Sequence, residues 1–152
     1  MTSDVVRPTV VIDRHDRYPI HLLIAPFAIA CLVGTLLTDI AYSSTANLMW
    51  ARFSTWLVSA GAILAVLTAI AGLVDIFARR TRHRSASIWP YVIGTVVILI
   101  LAILNMLMHT RDAWTSVVPW GLTLSVITAV VIALTAWLGW SVVYRDRVGV
   151  AP

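Results

Sequence analysis

The stretch Ile88-Trp-Pro-Tyr-Val-Ile-Gly-Thr-Val-Val-Ile-Leu-Ile-Leu-Ala-Ile-Leu-Asn-Met-Leu-Met108 contains no charged side chain. A bilayer's hydrocarbon core takes about 20 apolar helical residues to cross. In lipid a helix satisfies every backbone N–H and C=O within itself, so a membrane helix is the natural reading of this stretch. Working outward, three more stretches have the same character: Ile20–Tyr42, Phe53–Phe77 and Val118–Tyr144. The expected fold is all-α, an integral membrane four-helix bundle.

Composition agrees. The 152 residues are 60% hydrophobic and 12% charged. A soluble domain carries about 25% charged residues. The chain divides into a tail over 1–17, a four-span domain over 18–147 and a short tail over 148–152. That leaves no room for a soluble catalytic domain. The apolar run of the first span exceeds the about 7–15 residues of a signal-peptide core, so it is expected to stay as a helix. Cys31 is the single cysteine, which excludes an internal disulfide.

The formal charge is +4. Its positions do not suit nucleic acid, because the arginines flank apolar spans instead of gathering on one soluble face. Anionic lipid headgroups are the expected counter-charge. Arg7, Arg14, Arg17, Arg79, Arg80, Arg82, Arg84, Arg145 and Arg147 fall on one side of a four-span topology, and Arg52 and Arg111 on the other. By the positive-inside rule both termini are cytoplasmic and the expected home is the cytoplasmic (inner) membrane.

Helix contacts in lipid favour small residues four apart. Gly61, Ala65 and Ala69 form the clearest such stripe, which points to span two as the central helix of the bundle. Ala30, Gly34 and Thr38 suggest a second stripe, and Gly94, Ile98 and Ala102 a third. Pro26 predicts a bend in span one, Asn47 is a candidate cap for span two, and Tyr42 is expected at the interface.

Few polar groups could carry chemistry. Asp39 lies near the outer end of span one, at the depth of Asn105 and His109 on span three. They define an expected outer polar cluster, set against a plain packing hydrogen bond. His21 and Asp75 both lie at the inner level, which predicts a His–carboxylate pair; the competing reading pairs Asp75 with Arg79 at helical spacing. No nucleophile-plus-base arrangement, phosphate loop or metal-ligand spacing is present, so no catalytic, cofactor-binding or metal residue is expected. One haem cannot bridge His21 and His109 if most of a bilayer, roughly 30 Å, separates them. The apolar middle of the bundle disfavours a proton path, and the two halves show no repeat of the transporter kind.

The opening Tyr18-Pro-Ile-His21-Leu-Leu-Ile-Ala-Pro26-Phe27 resembles the His-Pro-x-His-Pro opening of small bacterial inner-membrane proteins grouped as domain of unknown function 2231. The similarity continues through Thr38-Asp39, Trp50-Ala-Arg52, Ala71-Gly72-Leu-Val-Asp75, and Asn105 followed by Arg111. It closes on Trp137-Leu-Gly139, Val143-Tyr144-Arg145 and Val148-Gly149-Val150. The resemblance implies a four-helix membrane domain and no established activity. Tyr18, Tyr91, Thr95 and Trp140-Ser141 depart from the family pattern, and of its histidines His21 remains.

The leading functional expectation is a membrane protein that is not an enzyme. It acts through helix–helix association, as a homo-oligomer or as an accessory subunit of a membrane complex. The competing expectation is a b-type haem or quinone-binding redox subunit. A small transporter or channel ranks third.

Overall fold

The structure, a computed structural model, describes residues 20–78, 89–111 and 117–148. It consists of four helices: α1 Ile20–Thr45, α2 Leu48–Ala78, α3 Trp89–His109 and α4 Trp120–Val148. All four are long and apolar enough to cross a membrane, and no strand occurs among the described residues. Pro19 and the whole Arg79–Arg84 loop lie outside them.

Helix boundaries follow local chemistry more than hydropathy. α1 runs unbroken through Pro26 and continues past Tyr42 to Thr45. Ala46 then takes φ 51°, the left-handed conformation that ends a helix, and its N–H reaches Tyr42 O at 2.8 Å. Asn47 starts the next helix as expected: its Oδ1 accepts from Met49 N–H at 3.0 Å. α2 therefore begins at Leu48, five residues before the apolar run at Phe53. Arg52 is exposed on that first turn and does not interrupt the helix. α4 begins at Trp120, just after Pro119.

The helices form a ring in which each touches its two neighbours, α1 and α2 most closely. α2 contacts α1 and α3 as its two main neighbours, so the expectation that it would be central is corrected: a four-helix ring has no central member.

The interior is made of small and hydroxylated side chains at heptad-like spacing. α1 buries Ala28, Leu32, Thr35, Asp39 and Tyr42. α2 buries Ala51, Ser54, Val58, Ala62, Ala65 and Thr68. α3 buries Ala102, Asn105 and His109. α4 buries Gly121, Ser125, Thr128, Ile132 and Thr135. Bulky apolar side chains such as Phe27, Trp56 and Trp137 point outward, as lipid-facing residues do.

Two expectations about α1 are met only in part. Its buried line runs through Ala28 and Leu32 while Ala30 faces outward, but Gly34 of the expected stripe meets α2, where a Cβ would lie 3.3 Å from Leu57. Tyr42 sits at the end of its span but is turned inward, packed with Ala51 and Val117. The stripes on α2 and α3 do meet neighbours. A Cβ on Gly61 would lie 3.0 Å from Leu32 of α1, and one on Gly94 would lie 2.7 Å from Thr135 Cγ2 of α4. Gly72, beside the α2 stripe, faces open space.

Burial is uneven along the bundle. The end where α1 meets α2 through Ala46–Asn47, here the cap, is tightly closed. At the opposite end, the base, no residue is buried from 20 to 27 on α1, 69 to 75 on α2, 89 to 101 on α3 or 136 to 141 on α4. Yet α1 still touches α2 there through His21 and Asp75, and α3 approaches α4 through Tyr91 beside Gly139. Both hairpins therefore stay in contact at the base.

Candidate functional site

Asp39 is the centre of the cap. Its side chain is 0% exposed, as is that of His109. An isolated carboxylate in such a place would be very unfavourable. Three other helices bring it partners. Ser54 of α2 donates its hydroxyl to Asp39 Oδ1 in a short hydrogen bond. Ser125 of α4 donates to Asp39 Oδ2 at 2.5 Å. His109 of α3 places Nε2 at 3.0 Å from Oδ1, and Ser54 Oγ lies 2.9 Å from the same nitrogen. Asn105 Nδ2 donates to Ser125 Oγ at 2.9 Å.

The proton inventory of this cluster can be read from its acceptors. A backbone carbonyl only accepts, so His109 Nδ1, 2.9 Å from Asn105 O, carries a hydrogen. Both serine hydrogens point to Asp39. His109 Nε2, Ser54 Oγ and Asp39 Oδ1 thus lie within hydrogen-bond distance of one another. Asn105 Oδ1 is the buried side-chain atom left without a partner among the described residues. Flipping the amide does not cure this, because the oxygen would then face a Ser125 oxygen whose hydrogen is already committed to Asp39. Such an orphan costs about 1–3 kcal/mol.

Serine, histidine and aspartate together invite comparison with a hydrolase triad. The geometry is wrong for one. In a triad the carboxylate and the serine take opposite ring nitrogens, so that histidine relays a proton. Here Ser54 and Asp39 meet the same nitrogen, Nε2, and Nδ1 faces a backbone carbonyl. The cluster is also sealed from solvent. Its chemistry is that of a hydrogen-bonded lock joining four helices.

At the base, His21 Nδ1 lies 2.7 Å from Asp75 Oδ2. The side chains are 21% and 18% exposed. The sequence-expected pair is therefore in contact; the competing Asp75–Arg79 pairing lies outside the described residues, and Asp75 has a further interaction besides His21. The carboxylate holds the ring through Nδ1–H.

Asp39, Asn105 and His109 thus come together, His21 and Asp75 come together, and the two groups stand apart. Asp39 follows His21 by 18 residues on one helix, about 27 Å of rise. His21 and His109 cannot face one haem iron within a single chain. Between them the buried polar groups are threonines whose hydroxyls bond to their own helix, Thr35 to Cys31 O and Thr128 to Leu124 O. No cluster of three or more His, Cys, Asp or Glu suited to a metal occurs among the described residues.

Ser54 and Ser125 were not anticipated. A serine inside a membrane helix commonly bonds back to its own backbone, so neither stands out alone. The available signal is depth: both lie on the cap side of their helices, level with Asp39.

These features define an integral membrane helical bundle organised around buried polar contacts. The family model described as predicted membrane protein (DUF2231) matches residues 17–152, and the chain belongs to that family. No curated protein and no solved structure matches it.

Proposed function

We propose that this protein is a multi-pass protein of the cytoplasmic membrane, with both termini in the cytoplasm and no catalytic site of its own. It serves as an accessory subunit of a membrane complex or as a self-associating unit. The observation that carries this reading is the state of the cap cluster. Its Asp39, Ser54, His109 and Ser125 side chains are turned onto one another and buried, which suits holding helices together. Chemistry on a substrate would need at least one of them presented to a cavity. Outward, α1–α4 display broad apolar surfaces that suit lipid or a partner's helices. Anionic headgroups are the expected company of the arginine-rich segments.

Purification from native membranes in a mild detergent, followed by mass spectrometry, tests the reading. A second copy or a defined membrane subunit should remain bound at fixed stoichiometry. Recovery of a partner-free monomer at native expression level would contradict it.

A further inference from the structure

The four candidate membrane spans, Ile20–Thr45, Leu48–Asp75, Trp89–His109 and Trp120–Ser141, contain a single arginine, Arg52 of α2. The Asp and His side chains of those spans are partnered within the chain, Asp39 with His109 and Asp75 with His21. Arg52 makes no ion pair, side-chain hydrogen bond or ring contact among the described residues. A guanidinium keeps its charge at any working pH. Its counter-charge therefore comes from outside the fold.

The depth of Arg52 follows from its neighbour. Ser54, two residues on, donates to Asp39 in the cap, so Arg52 stands about 3 Å nearer the end of the bundle. Side chains lean toward the N-terminus of their own helix, and α2 starts at the cap. The Arg52 side chain is thereby directed away from the bilayer middle, toward headgroup level. Its surroundings are apolar. Met49, Arg52, Phe53 and Trp56 recur at i, i+3, i+4 and i+7, and all four are exposed, so they form one outward stripe on the first turns of α2. Ala51, Ser54 and Val58 take the inward side. Trp50 extends the aromatic edge, with its ring centroid 6.2 Å from that of Phe53. Aromatic rings of this kind settle where acyl chains meet headgroups.

A ligand that fits brings a fixed negative charge with two oxygens for the guanidinium fork, and an apolar body to lie along the rings. A soluble anion lacks the body. A phosphodiester on a diacylglycerol supplies both, and a headgroup without an ammonium of its own leaves that charge uncompensated. We propose that Arg52, with Phe53 and Trp56, forms a binding site for one anionic phospholipid in the leaflet at the cap end. The guanidinium takes the phosphodiester, and the rings take the upper part of the acyl chains. The site is separate from the accessory-subunit reading and needs no partner protein.

Native mass spectrometry of the full chain in mild detergent tests it, with phosphatidylglycerol and phosphatidylcholine of identical acyl chains as probes. Arg52→Gln should bind phosphatidylglycerol about fivefold more weakly at one site, and phosphatidylcholine as before. Trp56→Leu, which leaves every charge in place, should weaken the same site. Excess inorganic phosphate should leave the lipid bound. Equal phosphatidylglycerol binding by Arg52→Gln and the unaltered protein would overturn the proposal. So would an equal loss for both lipids, or displacement by inorganic phosphate. A loss in Arg52→Gln with none in Trp56→Leu would reduce the effect to bulk charge attraction and overturn it as well. If Arg52→Gln fails to fold, Trp56→Leu against the unaltered protein decides. No partner protein enters the assay, so its failure leaves the accessory-subunit reading standing.

Discussion

At the residue scale, the same pair of chemical groups plays two parts according to burial. Asp39 and His109 are sealed, and their bond is part of the bundle's interior. Asp75 and His21 are about one-fifth exposed, at the base. Asp75 also lies in the last turn of α2, where a carboxylate opposes the helix dipole and needs compensation. Asp75→Asn should therefore lower thermal stability in detergent more than Arg79→Ala does, because an exposed ion pair contributes only about 0–1 kcal/mol. Equal melting temperatures for the two variants would assign Asp75 to the arginine instead. The five candidate polar residues, four ionisable and one amide, were legible in the sequence because such groups are rare in an apolar span and their depth can be counted. Ser54 and Ser125 were not, because a hydroxyl satisfied by its own helix looks the same in sequence as one that crosses to a neighbour.

At the element scale, helix identity was legible and helix facing was only partly so. Length and apolarity identified all four spans, and Asn47 marked the start of α2. A membrane bundle has lipid outside that is as apolar as any core, so hydropathy does not say which face turns inward. Small residues carry that information, and they are ambiguous. Gly61 packs on Leu32, while Gly72, eleven positions later on the same helix, meets nothing. Ala28 is buried and Ala30 is exposed. The contacts give a graded expectation. Gly61→Leu, Ala65→Leu and Gly94→Leu should each lower the melting temperature, Gly94 most, since even a methyl there presses on Thr135. Ile63→Leu, on a side chain 60% exposed, and Gly72→Ala should change it little. Equal melting temperatures across the series would place the stripe against lipid.

At the scale of the whole molecule, the bundle is a ring whose buried polar cluster sits at the cap, and its orientation in the membrane should follow the arginines. Reporter fusions after Tyr42 and Met108 should read outside the cytoplasm, and fusions after Arg84 and Arg147 inside it. An outside signal for the Arg79–Arg84 loop would reverse the topology. With the expected orientation, the sealed Asp39 cluster lies near the outer face and the His21–Asp75 end faces the cytoplasm. The closed end depends on one carboxylate that receives hydrogen bonds from three other helices. The most direct test of that lock is a double-mutant cycle on Asp39→Asn and His109→Gln, read as unfolding free energy in mixed micelles. Hydrogen bonds between membrane helices average only about 0.6 kcal/mol, whereas leaving a buried polar group without its partner costs about 1–3 kcal/mol, more where it is charged. The lock predicts two costly single variants and a coupling energy above about 1.5 kcal/mol, because the second change removes a partner already stranded by the first. Single variants within about 0.5 kcal/mol of the unaltered protein, with additive effects, would show that the four helices close without it.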